Sequence, residues 1–345
     1  MKPVESLLCA VAIGASCPLA CQSRPAAPIF DPGPSAITAT PVELDLGGPL
    51  RAIPPMARLD ARRVALGRRL FQDPRLSGDG SVACASCHPL DRAGVDGRPR
   101  AIGIHNQVGS FNTPTVFNAA LNFRQFWDGR AETLEEQAGG PIENPRELGS
   151  SYDALIGKVN ADPSYVRQIA EAYDGQVASA ALLSSAIATF ERSLVLPGSR
   201  FDRFLAGVEG SIDPEERQGY ELFTSYGCSS CHQGANVGGN MFERFGIARD
   251  YLEEREHQTT ADLGRFHVTG RKEDRYVFRV PSLRLVTMTA PYLHDGSVQS
   301  LDQMIRLMAR YQLGRELVDG DVRLIERFLD TLAGSYDGAT FAQAP

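Results

Sequence analysis

"SVACASCHPL", Ser81 to Leu90, and "YGCSSCHQGA", Tyr226 to Ala235, each place two cysteines two residues apart with a histidine directly after the second. Cys84, Cys87, Cys228 and Cys231 are four of only seven cysteines; the other three, Cys9, Cys17 and Cys21, lie near the N-terminus. Four such cysteines can make two disulfides, a zinc site or cofactor attachment points. A four-cysteine zinc ribbon spaces its pairs by roughly 15–20 residues. Here more than a hundred residues intervene, and a zinc site gives His88 and His232 no shared task. A thioredoxin-like redox site calls for one motif beside a βαβ pattern, which is not found. Cys-x-x-Cys-His is instead the attachment signature of c-type haem, in which the thiols add to the vinyl groups and the histidine ligates the iron. Two copies predict two covalently bound c-type haems with His88 and His232 as proximal ligands.

The chain has 345 residues, 43% of them hydrophobic, and a formal charge of −7. That length supports two modest cores, and the acidic balance offers no basic surface for nucleic acid. Lys2 followed by the apolar run "LLCAVAIGA" (7–15) reads as an export signal, too short to span a bilayer. "GASC" and "PLAC" loosely resemble lipoprotein cleavage sites, which makes Cys17 or Cys21 a candidate for a lipid tether. The Pro/Ala/Ser-rich stretch after Cys21 reads as a linker. The expected location is periplasmic, with a membrane-anchored lipoprotein as the variant.

The two motifs also organise the chain. "LGRRLFQDPRLSGDGSVACASCH" (66–88) and "GYELFTSYGCSSCH" (219–232) share a helical run ending in Leu-Phe, a turn and the haem motif, the mark of an internal duplication. Val64, Leu66, Leu70 and Phe71 give the first helix an apolar face, and Asp213, Pro214 and Glu216 form a start signal for the second. Leu183, Ile187, Phe190 and Leu194, and Val322, Ile325, Leu329 and Leu332, recur at helical spacing. Alternating strands are scarce. The fold class predicted is mainly α: two cytochrome c-like haem domains with long connecting loops, such as 253–275. The expected divisions are 1–21 export signal, 22–50 linker, 51–205 N-terminal haem domain and 206–345 C-terminal haem domain.

The sixth iron position decides what each haem does, because electron transfer closes it with a strong ligand and chemistry needs it open. The candidates beyond the leader are His105, His257, His267, His294, Met56, Met241, Met288, Met304 and Met308. Spacing alone does not choose among them. Three stretches do more: 111–149 with "FNTPTVFNAALNFRQFWDGRAE", 227–247 with "GCSSCHQGANVGGNMFERFGI", and 276–314 with "VPSLRLVTMTAPYLHDGS" and "MARYQLG". In this order they resemble the bacterial dihaem cytochrome c peroxidases and their relative MauG, from about Leu59 to the C-terminus.

The resemblance implies a low-potential N-terminal haem that meets hydrogen peroxide and a high-potential C-terminal haem closed by Met308, where MauG carries a tyrosine. It implies Trp127, the only tryptophan, as an electron relay between the haems. It implies Glu147, not Glu143, as the acid/base group of peroxide cleavage, with Pro141 shaping that pocket. It offers His105 as a distal ligand that closes the oxidised N-terminal haem, although its spacing to Pro114 is one residue shorter than in that class. A Ca2+ ion between the domains is implied through the Asn112 side chain and the carbonyls of Thr289 and Pro291. The implied electron donor is a small monohaem cytochrome c or a cupredoxin, and homodimerisation is carried as an expectation. Two other functions stay open: a MauG-like oxidase that modifies a partner protein's side chain, and a dihaem electron carrier with both irons six-coordinate.

Overall fold

The computed structural model describes residues 48–338 and 341. The leader with its three cysteines and the linker up to residue 47 lie outside the described residues. Among those described, the first half contributes α1 (Ala61–Gln72), α2 (Cys84–Cys87), α3 (Leu134–Glu143), α4 (Tyr152–Asn160), α5 (Pro163–Ala172), α6 (Ala180–Arg192) and α7 (Arg200–Leu205). The second contributes α8 (Pro214–Ser225), α9 (Tyr251–Glu254), α10 (Phe266–Thr269), α11 (Leu301–Leu313) and α12 (Asp319–Asp330). Two three-residue strands, β1 (Phe242–Arg244) and β2 (Val277–Arg279), pair antiparallel. The expected mainly α class is observed.

Local chemistry starts these helices where the sequence signals it. Asp213 caps α8 by accepting from the Glu216 N–H, while the Glu216 carboxylate accepts from the Asp213 N–H, a reciprocal capping box with Pro214 at the first helical position. Asp60, Ser179 and Ser300 cap α1, α6 and α11 in the same side-chain manner. Residues 253–275, expected as one long loop, are broken into short helical turns, including α10 and single turns at Thr260–Leu263 and Lys272–Asp274. Asp262 and Asp274 anchor these turns with side-chain hydrogen bonds that hydrophobic periodicity does not register.

Two helix crossings carry the duplication into three dimensions. In α1, a Cβ on Gly67 would lie 1.9 Å from the Ala186 carbonyl oxygen of α6 and 2.7 Å from Phe190 Cβ. In α8, a Cβ on Gly219 would lie 2.0 Å from the Leu324 carbonyl oxygen of α12 and 2.9 Å from Phe328 Cβ. Each glycine thus admits a neighbouring backbone. One turn further on, Phe71 meets Phe190 with ring centroids 5.2 Å apart, and Phe223 meets Phe328, also at 5.2 Å. These buried aromatic pairs lie in two separate apolar clusters. The clusters draw on distant sequence: Leu50 and Phe201 join the second motif's cluster, and Leu285 and Phe341 join the first's.

Replacing Gly67 or Gly219 by alanine forces a methyl into a backbone carbonyl, so each should destabilise by about 1–3 kcal/mol or more. Gly157 of α4, with nothing within 4 Å of its would-be Cβ, is the control, and Gly157→Ala should stabilise by up to about 1 kcal/mol. Thermal unfolding followed by circular dichroism separates the two signs.

Candidate haem sites

The first motif is one helical turn followed by its histidine. Ser86 Oγ accepts from the Ala83 N–H to start α2, and the His88 N–H returns to the Cys84 carbonyl at 2.9 Å. The i, i+3 spacing sets Cys84 and Cys87 on one face. None of the four cysteines in the described residues is in a disulfide. Burial pushes the Cys84 thiol up to about 12 and the Cys87 thiol up to about 11. Reactive thiols and zinc ligands sit where the thiolate is favoured; these are un-ionised thiols in an apolar wall, which suits thioether formation. His88 Nδ1 lies 3.0 Å from the Gly94 carbonyl, which can only accept, so the proton sits on Nδ1 and Nε2 keeps its lone pair for a metal. Burial also lowers the His88 pKa, keeping the ring neutral.

The second motif repeats the arrangement. Cys228 and Cys231 flank a single helical turn (Cys228–Ser230), the His232 N–H donates to the Cys228 carbonyl at 3.0 Å, and burial drops the His232 pKa to about 4. His232 Nδ1 is buried without a hydrogen-bond partner, an orphan that a ring fixed through Nε2 would orient. Gly238, at φ +127°, lets the following loop close over this ring: a Cβ there would lie 2.2 Å from the Pro281 oxygen.

Beside Cys228, Cys231 and His232 lies a mostly apolar cavity of about 460 Å³, within the size range of cofactor sites. Met304 and Met308, one turn apart on α11, both line it. Asn112, Trp127, Thr289 and Pro291 line it too, so the residues singled out as relay and as calcium ligands border one cavity. The Trp127 Nε1–H donates to the Asn112 carbonyl at 3.0 Å. The Asn112 amide group donates to the Arg98 carbonyl at 2.9 Å, and its backbone N–H to the His294 carbonyl at 2.7 Å. The donor set of each motif fits a c-type haem, and at the second motif this cavity offers room for one.

The void beside the first motif measures only about 40 Å³, so its lining must move to admit a macrocycle. Pro141 in α3 borders it with Cys84, Cys87 and His88. Glu147 follows α3: its Oε1 accepts from Asn144 Nδ2 at 2.7 Å, and burial raises its pKa against the opposing pull of Asn144 and Arg130. Its chain neighbour Leu148 lines the void, which puts Glu147 close to the motif. Glu143, by contrast, is exposed at the end of α3.

His105 is not brought to this pocket. It sits at φ +52° in a tight turn closed by the Gly103 N–H on the Gln107 carbonyl, and its exposed ring faces Asp79 at 3.5 Å. The reading of His105 as a haem ligand therefore does not describe this conformation.

Sequence reasoning missed Gln137, Glu191 and the carboxylate partners of His294. Gln137 stands one turn before Pro141 on α3 and lines the first pocket; its i, i+4 offset from Pro141 was the available signal. Glu191 of α6 lines the same pocket. Asp262, His294 and Asp295 converge behind Trp127, with His294 Nε2 2.7 Å from Asp262 Oδ1 and Arg255 bonding both carboxylates at 3.0 and 2.6 Å. The guanidinium offsets part of that charge. The His294 ring stacks on Phe278 with centroids 4.6 Å apart and meets Trp127 edge-on at 6.4 Å.

Known proteins bear on this geometry. The family described as di-haem cytochrome c peroxidase matches residues 61–210. Cytochrome c peroxidase Ccp of Escherichia coli is 45% identical over 84% of this chain, which spans only 62% of that protein's length. Cytochrome c551 peroxidase of Nitrosomonas europaea is 41% identical over 83% of each chain. A solved MauG-like protein associated with microbial copper homeostasis superposes with a TM-score of 0.72 at 27% identity, covering 85% of this chain and 95% of that one.

The holoprotein should carry two covalent haems by intact mass. Replacing Cys84 and Cys87 by serine, or Cys228 and Cys231, should each leave one. Two haems retained in either double variant would refute the assignment.

Proposed function

Since this chain belongs to the di-haem cytochrome c peroxidase family, we propose that it is a periplasmic dihaem peroxidase that reduces hydrogen peroxide to water with electrons from a small cytochrome c or a cupredoxin. The observation that carries this reading is Glu147, a half-buried carboxyl whose pKa desolvation raises, following a helix whose Gln137 and Pro141 border the first motif. A pure electron carrier has no use for such a group. The relatives' names, cytochrome c peroxidase and cytochrome c551 peroxidase, support the substrate and donor classes.

When bound, the haems supply the redox chemistry, with peroxide meeting the N-terminal one and electrons stored on the C-terminal one. Glu147 accepts a proton from the incoming peroxide and returns it to the departing oxygen, which leaves as water. Asn144 orients its carboxylate. Gln137 and Pro141 narrow the approach, and the Gly94 carbonyl holds His88 in the ligating tautomer. Trp127, its indole N–H bonded to the Asn112 carbonyl and its ring lining the second cavity, serves in this reading as the relay between the two sites. Met308 closes the C-terminal site and supports the peroxidase over a protein-modifying oxidase.

Oxygen groups at Asn112, Thr289 and Pro291 bordering the second cavity support a Ca2+ site there. The Asp79 contact that turns His105 outward favours an N-terminal site open to peroxide without prior reduction. The apolar leader and the haem-attachment motifs support export, with a lipid tether at Cys17 or Cys21 and homodimerisation carried as proposals. No helix among the described residues is long and apolar enough to cross a membrane.

Glu147→Gln should lower peroxide-dependent oxidation of reduced cytochrome c by about 10²–10⁴-fold with haem content unchanged. The working form is the carboxylate and its pKa is raised, so wild-type activity should fall on acidification above the ordinary carboxylate range, and Glu147→Gln should lack that limb. Trp127→Leu should slow transfer between haems in stopped-flow spectra while leaving both haems attached. Turnover by the fully oxidised enzyme is expected; turnover only after one-electron reduction would restore His105 as the closing ligand.

A further inference from the structure

Glu191 is a buried carboxyl that the peroxidase mechanism above does not use. It occupies the last turn of α6, is 4% exposed, and borders the first pocket with Cys84, His88 and Gln137. Its Oε2 is buried with no hydrogen-bond partner. An unpaired carboxylate in such a place is costly, and the group tends to take up a proton instead. The neighbouring cation does not pair with it: Arg192 directs both guanidinium nitrogens to Glu135 of α3, at 2.7 and 2.9 Å. Arg68 of α1 lies over the Phe190 ring at 5.6 Å. Burial is the main cause that raises the Glu191 pKa, to about 8, with Arg192 lowering it and Glu135 raising it. Among charged groups, Glu191 is the foremost contributor to the raised Cys84 pKa, ahead of Glu147, so its charge bears directly on the haem attachment point.

We propose that Glu191 is the proton partner of the N-terminal haem, gaining one proton from water when that haem gains one electron and releasing it on reoxidation. The inference rests on the reading of Cys84, Cys87 and His88 as a haem site. The step balances: the reducing protein supplies one electron, water supplies one proton, an O–H bond forms on Glu191, and the pocket's net charge is unchanged. Above its raised pKa of about 8 Glu191 is a carboxylate, and adding an electron to the same apolar pocket is then opposed by like-charge repulsion. Protonation of Glu191 removes that opposition. Glu147 is the other titratable carboxyl bearing on Cys84, and it differs in having Asn144 as partner.

The test is a spectroelectrochemical titration of the N-terminal haem in the holoenzyme from about pH 6 to about pH 10. In wild type the midpoint should fall with pH over part of this range, by up to ~59 mV per tenfold change in proton activity for one electron. Glu191→Gln should flatten that slope, Glu191→Asp should keep it with a displaced window, and Glu147→Gln should keep it. A flat wild-type profile, or a slope unaltered in Glu191→Gln, overturns the proposal. If Glu191→Gln takes up no haem, an unmoved window in Glu191→Asp overturns it instead. Absence of a haem attached at Cys84 and Cys87, read from the mass and the spectrum, would sink the site assignment and not the role of Glu191.

Discussion

Backbone contact between paired helices is the constraint on which both sites depend. Gly67 and Gly219 bring α1 against α6 and α8 against α12 so closely that no side chain fits between. Each crossing fixes a helix whose C-terminal end leads, through a turn, into a Cys-x-x-Cys-His motif. The aromatic pair one turn along, Phe71 with Phe190 or Phe223 with Phe328, fixes the rotation about that crossing. The result is a rigid mount for one end of each cofactor site, built twice from the same parts.

The halves are joined by polar groups that leave little freedom. Arg284, 1% exposed, bonds Asp202 at 2.8 and 3.1 Å, Ser199 at 3.2 Å and the Ala235 carbonyl at 2.7 Å. Asp202 in turn accepts from the N–H groups of Ile53, Gly198 and Ser199. One buried ion pair thus ties α7, the segment before α1 and the loop after the second motif. Such a pair gains little net stability but is costly to break, so it specifies an arrangement more than it strengthens one. The Asp262–His294–Arg255 network fixes residues of the second half beside Trp127. Aligned this way, the indole has its N–H bonded to Asn112 and an imidazole at its edge, which limits its motion beside the second cavity.

What the sequence made legible was chemistry with a fixed local spacing. The two haem motifs, the capping box at Asp213 and the helical periodicities of α6 and α12 are read from residues a few positions apart, and the structure forms those helices where expected. Leu194 and Leu332 fall just past the ends of α6 and α12 yet stay buried, since a core position needs no helix once the chain has turned. The role of Gly67 was illegible because a glycine in a helix reads as a weakness until the partner backbone is known. Glu191 was hidden for a related reason: in "FERSL" it resembles any charged helix residue, and only the packing of α6 turns it inward. His105 shows the opposite case. Its sequence neighbourhood suggested a ligand, but a left-handed backbone in the turn from Gly103 to Gln107 aims the ring at Asp79.

Glu147 and Glu191 illustrate how one pocket assigns different tasks to the same functional group. Burial raises the pKa of both. Glu147 has a hydrogen-bond donor in Asn144 and a favourable charge in Arg130, which hold its pKa down and keep it available as a base. Glu191 has no such donor at Oε2, and its adjacent arginine is engaged by Glu135. Environments that push two carboxyls apart are the usual way one site obtains both a base and a proton reservoir near neutral pH. The division here starts from burial of Glu191, and the crossing of α3 and α6 adds to it: α3 presents Glu135, which takes both guanidinium nitrogens of Arg192 and itself raises the Glu191 pKa. Ionisation of Glu191 is therefore set first by burial and then by helix packing beside the pocket.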